Sequence, residues 1–366
     1  MFPATPLSEH SGGLEPAGSG SRLLLASPDA PRDGARPLLS IAIPTFRRFD
    51  LLAEALSSVF ALRFNVPVEV LVVDNDPGND PIALEAMKAF AGRGLSYYKN
   101  ESNLGMFGNW NRCLELATGR YVTILHDDDL LDAEFAQQVN ERLTSAWPGV
   151  AALAWRHRLL DQRQQSPDMQ HKTPLRRLQG LIAFLHREVS SQSAIHLFLG
   201  NPFAGTLGVV FDRDKALALG GFDAAWHPIS DYEFWCRWVV AYGAIPLFRL
   251  SVGQYRMRQN ESLRAEVREA FLSGSLRLRR RMLEHGDVPC LYRLVLPAVQ
   301  EHQRLSLSEQ WRSAGDKPLS WPSSLMVIAW RAVAWCLKRP GAWLRPRSTK
   351  GSAGHGSGCG RGGRTG

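Results

Sequence analysis

From Leu38 to Ala146 the chain alternates between short apolar runs of strand length and longer runs with apolar residues at helical spacing. LLSIAI (38–43), VEVLVV (68–73), LSYYK (95–99) and YVTIL (121–125) are the strand-like runs. LLAEALSSVFAL (51–62), IALEAMKAFAG (82–92), FGNWNRCLELATG (107–119) and AEFAQQVNERLTSA (133–146) follow them in turn, with Gly92 and Gly119 as helix stops. Four strand–helix units in succession predict an α/β fold, a mostly parallel sheet with right-handed crossovers and helices on its faces. The segment after the first strand, IPTFRRFD, has no glycine fingerprint. That argues against a nicotinamide-type dinucleotide fold.

Beyond Trp155 the pattern loosens. Residues 155–174 are polar and predict a loop, 177–199 a helix, TLGVVFDR (206–213) a strand, DYEFWCRWVVAYG (231–243) a helix and 262–283 a strongly basic helix. Residues 1–36, rich in Pro, Gly, Ser and Ala, and residues 345–366, rich in Gly, Ser, Arg and Lys, predict disordered ends. The tail's GCGRGG (358–363) matches GxGxxG formally, but no strand precedes it and no helix follows, so it is read as accidental.

A length of 366 residues suggests two domains, and 45% hydrophobic residues suffice for a sizeable core. The net charge of +8 points to an anionic partner: a nucleotide, a nucleic acid or a lipid surface. Cys113, Cys236, Cys290, Cys336 and Cys359 form no CxxC, so neither a zinc site nor a disulfide framework is indicated, in keeping with a reducing compartment. No signal peptide and no spanning helix are expected.

The chemistry concentrates at YVTILHDDD (121–129), where Asp127, Asp128 and Asp129 follow the fourth strand. Open α/β sheets bind ligands at that edge. Three adjacent carboxylates repel one another and call for a counter-ion, which a divalent metal holding a diphosphate would supply. The plain alternative is a solvated acidic turn.

Taken in order, the motifs from Leu38 to Ser262 resemble the family 2 glycosyltransferases of the GT-A fold. SIAIPTFRRFDLLAEALSSV (40–59) is similar to the family's opening strand and helix, which implies that Pro44, Thr45, Phe46 and Arg47 lie at the lip of a nucleotide pocket. VLVVDNDPGND (70–80) resembles the second strand and its acidic turn, with Asp74 and Asp76 as acceptors for the N–H of a uracil or thymine base; an Asx turn without ligand is the alternative. NLGMFGNWNRCLELATG (103–119) resembles the Asn-x-Gly loop, with Asn103 and Gly105 shaping it; Trp110 stands where the family often has arginine, leaving Arg112 as a phosphate contact. HDDDL (126–130) resembles the metal-binding Asp-x-Asp with His126 in place of the first aspartate. The resemblance implies Asp128 as the main metal ligand, Asp129 supporting it and Asp127 near the ribose. GGFDAAWHPISDYEFWCRW (220–238) places Asp231 at the family's catalytic aspartate, with Ser230 where relatives carry glutamate. Stabilisation of a helix start is the alternative role for Asp231. YRMRQNES (255–262) resembles the closing Tyr-Arg-x-His with Arg258 for histidine, so that Arg256 or Arg258 would pair with diphosphate.

The resemblance implies a GT-A catalytic domain over 37–262, followed by a basic helical region over 263–344. The implied reaction moves a sugar from a nucleoside-diphosphate sugar to an acceptor hydroxyl with inversion, using Mg²⁺ or Mn²⁺, in bacterial cell-surface polysaccharide assembly. SLMVIAWRAVAWCLK (324–338) is apolar nearly all round, and residues 311–350 carry eight Lys/Arg against Asp316 alone, with Trp321, Trp330, Trp335 and Trp343 nearby. This suits an interfacial helix on an anionic membrane, with a lipid-linked glycan as acceptor and a place on the inner face of the cytoplasmic membrane. A helix packed on the catalytic domain is the alternative. A sugar-phosphate nucleotidyltransferase would want a glycine-rich loop after the first strand. A nucleic-acid binder would use the eight arginines of 256–281, which otherwise make a solvated face.

Overall fold

A computed structural model describes residues 20–27, 36–78, 81–146, 150–162, 189–257 and 264–310. The four strands expected from the alternation form a parallel group: β2 (Leu39–Thr45), β3 (Val68–Asp74), β4 (Leu95–Asn100) and β5 (Tyr121–Ile124). With β1 (Ser21–Leu25), β6 (Leu130–Leu131), β7 (Ala152–Asp161), β8 (Val189–Gln192), β9 (Val209–Asp212) and β10 (Ile245–Met257), they build one sheet in the order β1-β4-β3-β2-β5-β9-β7-β10-β6, with β8 added on β10. β9 runs antiparallel between β5 and β7, and β7 runs parallel to β10.

All seven residues of β2 are buried. Its side chains alternate between the sheet's two faces, as the period of a strand requires. Leu39, Ile41 and Ile43 join a core with α1 (Phe49–Phe60), α2 (Pro81–Ala91) and α4 (Ala133–Glu141) through Leu52, Met87 and Phe135. Ala42 faces the opposite core, made by α3 (Gly105–Leu116) and by helices that follow β8. These are α5 (Ala194–Leu199), α6 (Arg213–Ala218), α7 (Ser230–Tyr242), α8 (Ala265–Glu284) and α9 (Leu296–Gln310). Leu278 and Met282 of α8 and Val299 of α9 share this core with Phe234, Trp235 and Trp238 of α7.

Three expectations are corrected. Ser21–Leu25, within the segment expected to be a disordered arm, is an edge strand paired antiparallel with β4. Trp155–Asp161, expected as loop, continues β7; its polar residues reflect exposure on one side of a strand. Of the helix expected over 177–199, the described part is a strand, Val189–Gln192, followed by the short α5. Arg258, the 324–338 segment and the glycine-rich tail lie outside the described residues. No described helix is long and apolar enough to cross a membrane.

Candidate active site

The carboxyl ends of β2, β3 and β5 lie side by side, so their following turns converge. Pro44 and Thr45 end β2 and are buried, Phe46 is partly exposed, and Arg47 takes a left-handed backbone with φ 57°. Such a conformation strains a non-glycine residue. Here Arg47 is held by a fork on Asp76, with Nε 2.9 Å from Oδ2 and Nη2 3.1 Å from Oδ1. The same hydrogen bond holds the Asp76 carboxyl below its usual range.

Asp74 and Asp76 differ in a way that no spacing reveals. Asp74 is wholly buried and accepts from Tyr97 Oη at 2.7 Å, Lys99 Nζ at 3.0 Å and the Asp76 N–H at 2.9 Å. Its carboxylate anchors the turn from within, and Asp76 lies above it beside Arg47. Next to them, Asn75 ties three segments together. Its Nδ2 donates to Asn103 Oδ1 (2.8 Å) and the Gly105 carbonyl (3.1 Å), while its Oδ1 accepts from Asn100 Nδ2 (3.0 Å) and the Leu104 N–H (2.9 Å). Asn103 also accepts from the N–H of Gly105, whose φ of 72° closes the loop.

Past β5 the three aspartates separate by depth. Asp127 and Asp129 are buried, whereas the Asp128 side chain keeps 13% of its exposure. Asp127 accepts from Thr45 Oγ1 at 2.8 Å. Burial, offset in part by Arg48, pushes its pKa up to about 6. Arg48 spans the turn, paired with Asp127 and, through Nη1 at 2.9 Å, with Asp128 Oδ2. Asp129 accepts the Arg256 backbone N–H at 3.0 Å, which fastens the turn to β10, and its Oδ2 lies 3.3 Å from His126 Nδ1. Trp110 and His126, two of the departures from the family pattern, meet as stacked rings with centroids 4.8 Å apart. Burial opposes the imidazolium, but Asp129 and the neighbouring aspartates raise the His126 pKa overall.

Asp231 lies in the first turn of α7, with the backbone N–H groups of Tyr232 and Gly205 near its carboxylate. Burial outweighs their effect and pushes its pKa up to about 6. Gly205 also accepts from Trp235 Nε1 at 2.9 Å, and its Cα faces the His126 ring. Through Gly205 the start of α7 is therefore set against the acidic turn. Phe234, Trp235 and Trp238 are wholly buried, as core residues.

Two arginines that the resemblance assigned to phosphate make ion pairs within the chain. Arg112 is buried and pairs with Glu115 within α3 at 2.9 Å. The Arg256 guanidinium, also buried, reaches Glu54 at 2.6 Å. Sequence reasoning missed Arg48, Asn75 and Gly205. Only Arg48 had a signal, an arginine directly beside one already chosen.

The donor set suits a hard divalent cation. Ligand atoms of His126, Asp128 and Asp129 lie within 4.8 Å of one another, and Asp128 presents its carboxylate outward.

Residues 40–198 match the model of Glycosyl transferase family 2. The chain is 30% identical over 205 residues to an uncharacterized protein of Mycobacterium tuberculosis, covering 56% of this chain and 62% of that one. It is 33% identical over 96 residues to the GalNAc(5)-diNAcBac-PP-undecaprenol beta-1,3-glucosyltransferase of Campylobacter jejuni, covering 26% of this chain and 31% of that one. The matched stretch is thus less than two thirds of either relative. Among solved structures, Staphylococcus aureus TarS 1–349 in complex with UDP-GlcNAc aligns with a TM-score of 0.52 at 15% identity, over 82% of this chain and 81% of that one, and supports the GT-A fold. Over residues 40–198 the chain is thus similar to the family 2 glycosyltransferases.

Proposed function

We propose that the protein transfers a sugar from a nucleoside-diphosphate sugar to an acceptor hydroxyl, with inversion at the anomeric carbon. The observation that carries this reading is the convergence of Asp231 with the Asp127–Asp129 turn, joined through Gly205 and His126. A lone acidic turn would not need a second carboxylate held at its side with its pKa raised to about 6.

Asp76 and Arg47 offer an acceptor and a donor at the nucleoside end of the pocket. Asp128, backed by Asp129, would hold Mg²⁺ or Mn²⁺, which supplies charge neutralisation of the leaving diphosphate. Asp231 takes the proton of the acceptor hydroxyl. The oxygen then attacks the anomeric carbon opposite the leaving group, and the carbon–oxygen bond to the diphosphate breaks in the same displacement. No covalent glycosyl–enzyme intermediate is required, so no second nucleophilic carboxylate is needed.

A lipid-linked acceptor is the favoured class. The Campylobacter relative is named for an undecaprenol-linked substrate, and this chain carries a net charge of +8, suited to an anionic membrane face. Nucleic-acid binding is disfavoured by α8: Arg279 is buried, Arg281 pairs with Glu233 at 3.1 Å, and Arg277 lies over the Trp226 ring at 3.9 Å.

The test is a screen of UDP-, dTDP- and GDP-sugars for release of the nucleoside diphosphate, with and without EDTA. Release from one donor class that EDTA abolishes supports the reading; none from any donor with a lipid-linked acceptor supplied would defeat it. Deleting residues 321–366 is expected to shift the protein from the membrane to the soluble fraction.

A further inference from the structure

The acidic turn already carries a cation of the protein's own. Arg48 forms an ion pair with Asp127, places Nε 3.3 Å from the second Asp127 oxygen and sets Nη1 2.9 Å from Asp128 Oδ2. Its side chain remains 42% exposed, so the guanidinium closes the site from the solvent side while the carboxylates lie beneath it. The backbone fixes this choice. Arg47, at φ 57°, turns away to fork Asp76, and Arg48 is thereby directed at the β5 turn.

A guanidinium has no acceptor and stays charged in proteins. It cannot share the outward oxygen of Asp128 with a divalent cation without strong repulsion. Loss of Arg48 from an empty turn would leave Asp127, Asp128 and Asp129 mutually repelling.

We propose that Arg48 is a tethered counter-ion, displaced from Asp128 by the divalent cation, and that the released guanidinium then pairs with the donor's diphosphate. The inference rests on the metal-site reading above. Metal alone binds weakly because it must evict Arg48. Metal and diphosphate bind cooperatively because the diphosphate offers the evicted guanidinium a bidentate partner. The device keeps the acidic turn folded without metal and favours metal binding when donor is present.

The test uses the full chain and Mn²⁺ alone, followed by loss of the free-ion EPR signal. Arg48→Gln is expected to bind Mn²⁺ about tenfold more tightly than the parent protein. Asp128→Asn is expected to lose binding. If Arg48→Gln binds Mn²⁺ no more tightly while Asp128→Asn still abolishes binding, the metal site stands and the counter-ion role falls. If Asp128→Asn binds as the parent does, or no protein binds Mn²⁺, the metal-site reading falls and takes the inference with it. Should Arg48→Gln not fold, the parent chain carries the test. Mg²⁺ is then expected to shift the Arg48 Nε–H resonance and speed its exchange with water, and an unchanged resonance at saturating Mg²⁺ would overturn the proposal.

Discussion

Gly205 lies so close to the imidazole of His126 that a methyl group on its Cα would sit 2.7 Å from Cε1. Gly205 also has φ 60°, a left-handed backbone that a side chain disfavours. Its N–H lies near the Asp231 carboxylate and its carbonyl accepts from Trp235, so it acts as the spacer between the proposed base and the acidic turn. Gly205→Ala is expected to cost about 1–3 kcal/mol of stability through overpacking. It is also expected to lower kcat about 100-fold by moving the base relative to the sugar site, with a smaller change in donor KM. A kcat within twofold of the parent would show that Gly205 does not set that distance.

The raised pKa of Asp231 gives a pH signature. Its protonated form cannot accept the hydroxyl proton, so kcat is expected to rise with pH through about 6. Asp231→Asn should bind donor normally and lose about 10²–10⁴ in kcat. Stability moves the other way. The folded pKa lies above the unfolded value, so the folded state holds the extra proton, and its stabilising contribution is present below the unfolded pKa. That contribution fades as pH rises through about 6. Above pH 6 the ionised carboxylate carries a burial cost. Asp231→Asn should therefore be more stable than the parent at pH 8, by about 1–3 kcal/mol, while the two converge near pH 4. Equal melting temperatures at pH 8 and pH 4 would remove the burial argument.

The parallel half of the sheet was legible because each strand and helix there carries its own period, and β2 is buried on both faces. Ser21–Leu25 was not, since an edge strand of five residues owes its existence to pairing with β4. Within the site, the spacing offered Asp74 and Asp76 equally. Tyr97 and Lys99, alternate residues on the neighbouring strand, decide that Asp74 is the internal one. Arg48 escaped notice because which of two adjacent arginines meets which acid depends on one backbone angle, the φ of Arg47. Gly205 acts through its backbone and Asn75 through side-chain hydrogen bonds to three segments, and neither arrangement has a sequence signature.

Asn75 is expected to be as sensitive as any core residue. Its side chain serves Asn100, Asn103, the Leu104 N–H and the Gly105 carbonyl. Asn75→Ala leaves those partners without it in a largely buried site, at about 2–4 kcal/mol. Urea unfolding should show a lower midpoint. Donor affinity should fall as well, because the loop from Asn103 to Gly105 loses its tether to β3. A loss of stability with unchanged affinity would place that loop away from the donor.

The helical extension should prove inseparable from the sheet. Arg279 is 1% exposed, yet its acceptors are neutral: the Phe198 carbonyl at 2.8 Å, Gln300 Oε1 at 3.0 Å and Gln303 Oε1. The guanidinium thus joins α5, α8 and α9 beside Tyr232 of α7. Arg279→Ala would leave these acceptors buried and a cavity behind, costing about 2–5 kcal/mol. Replacing the cluster together, as Arg279→Met with Gln300→Leu and Gln303→Leu, should recover much of that loss, since apolar packing can substitute for a buried polar network. A protein ending at Ser262 would expose the apolar faces of α7 and Trp226 that Leu278, Met282 and Val299 cover. It is expected to bind a hydrophobic dye and lose its near-ultraviolet circular dichroism. If it instead melts cooperatively at the parent temperature, the sheet folds alone and α8 and α9 form a separate unit.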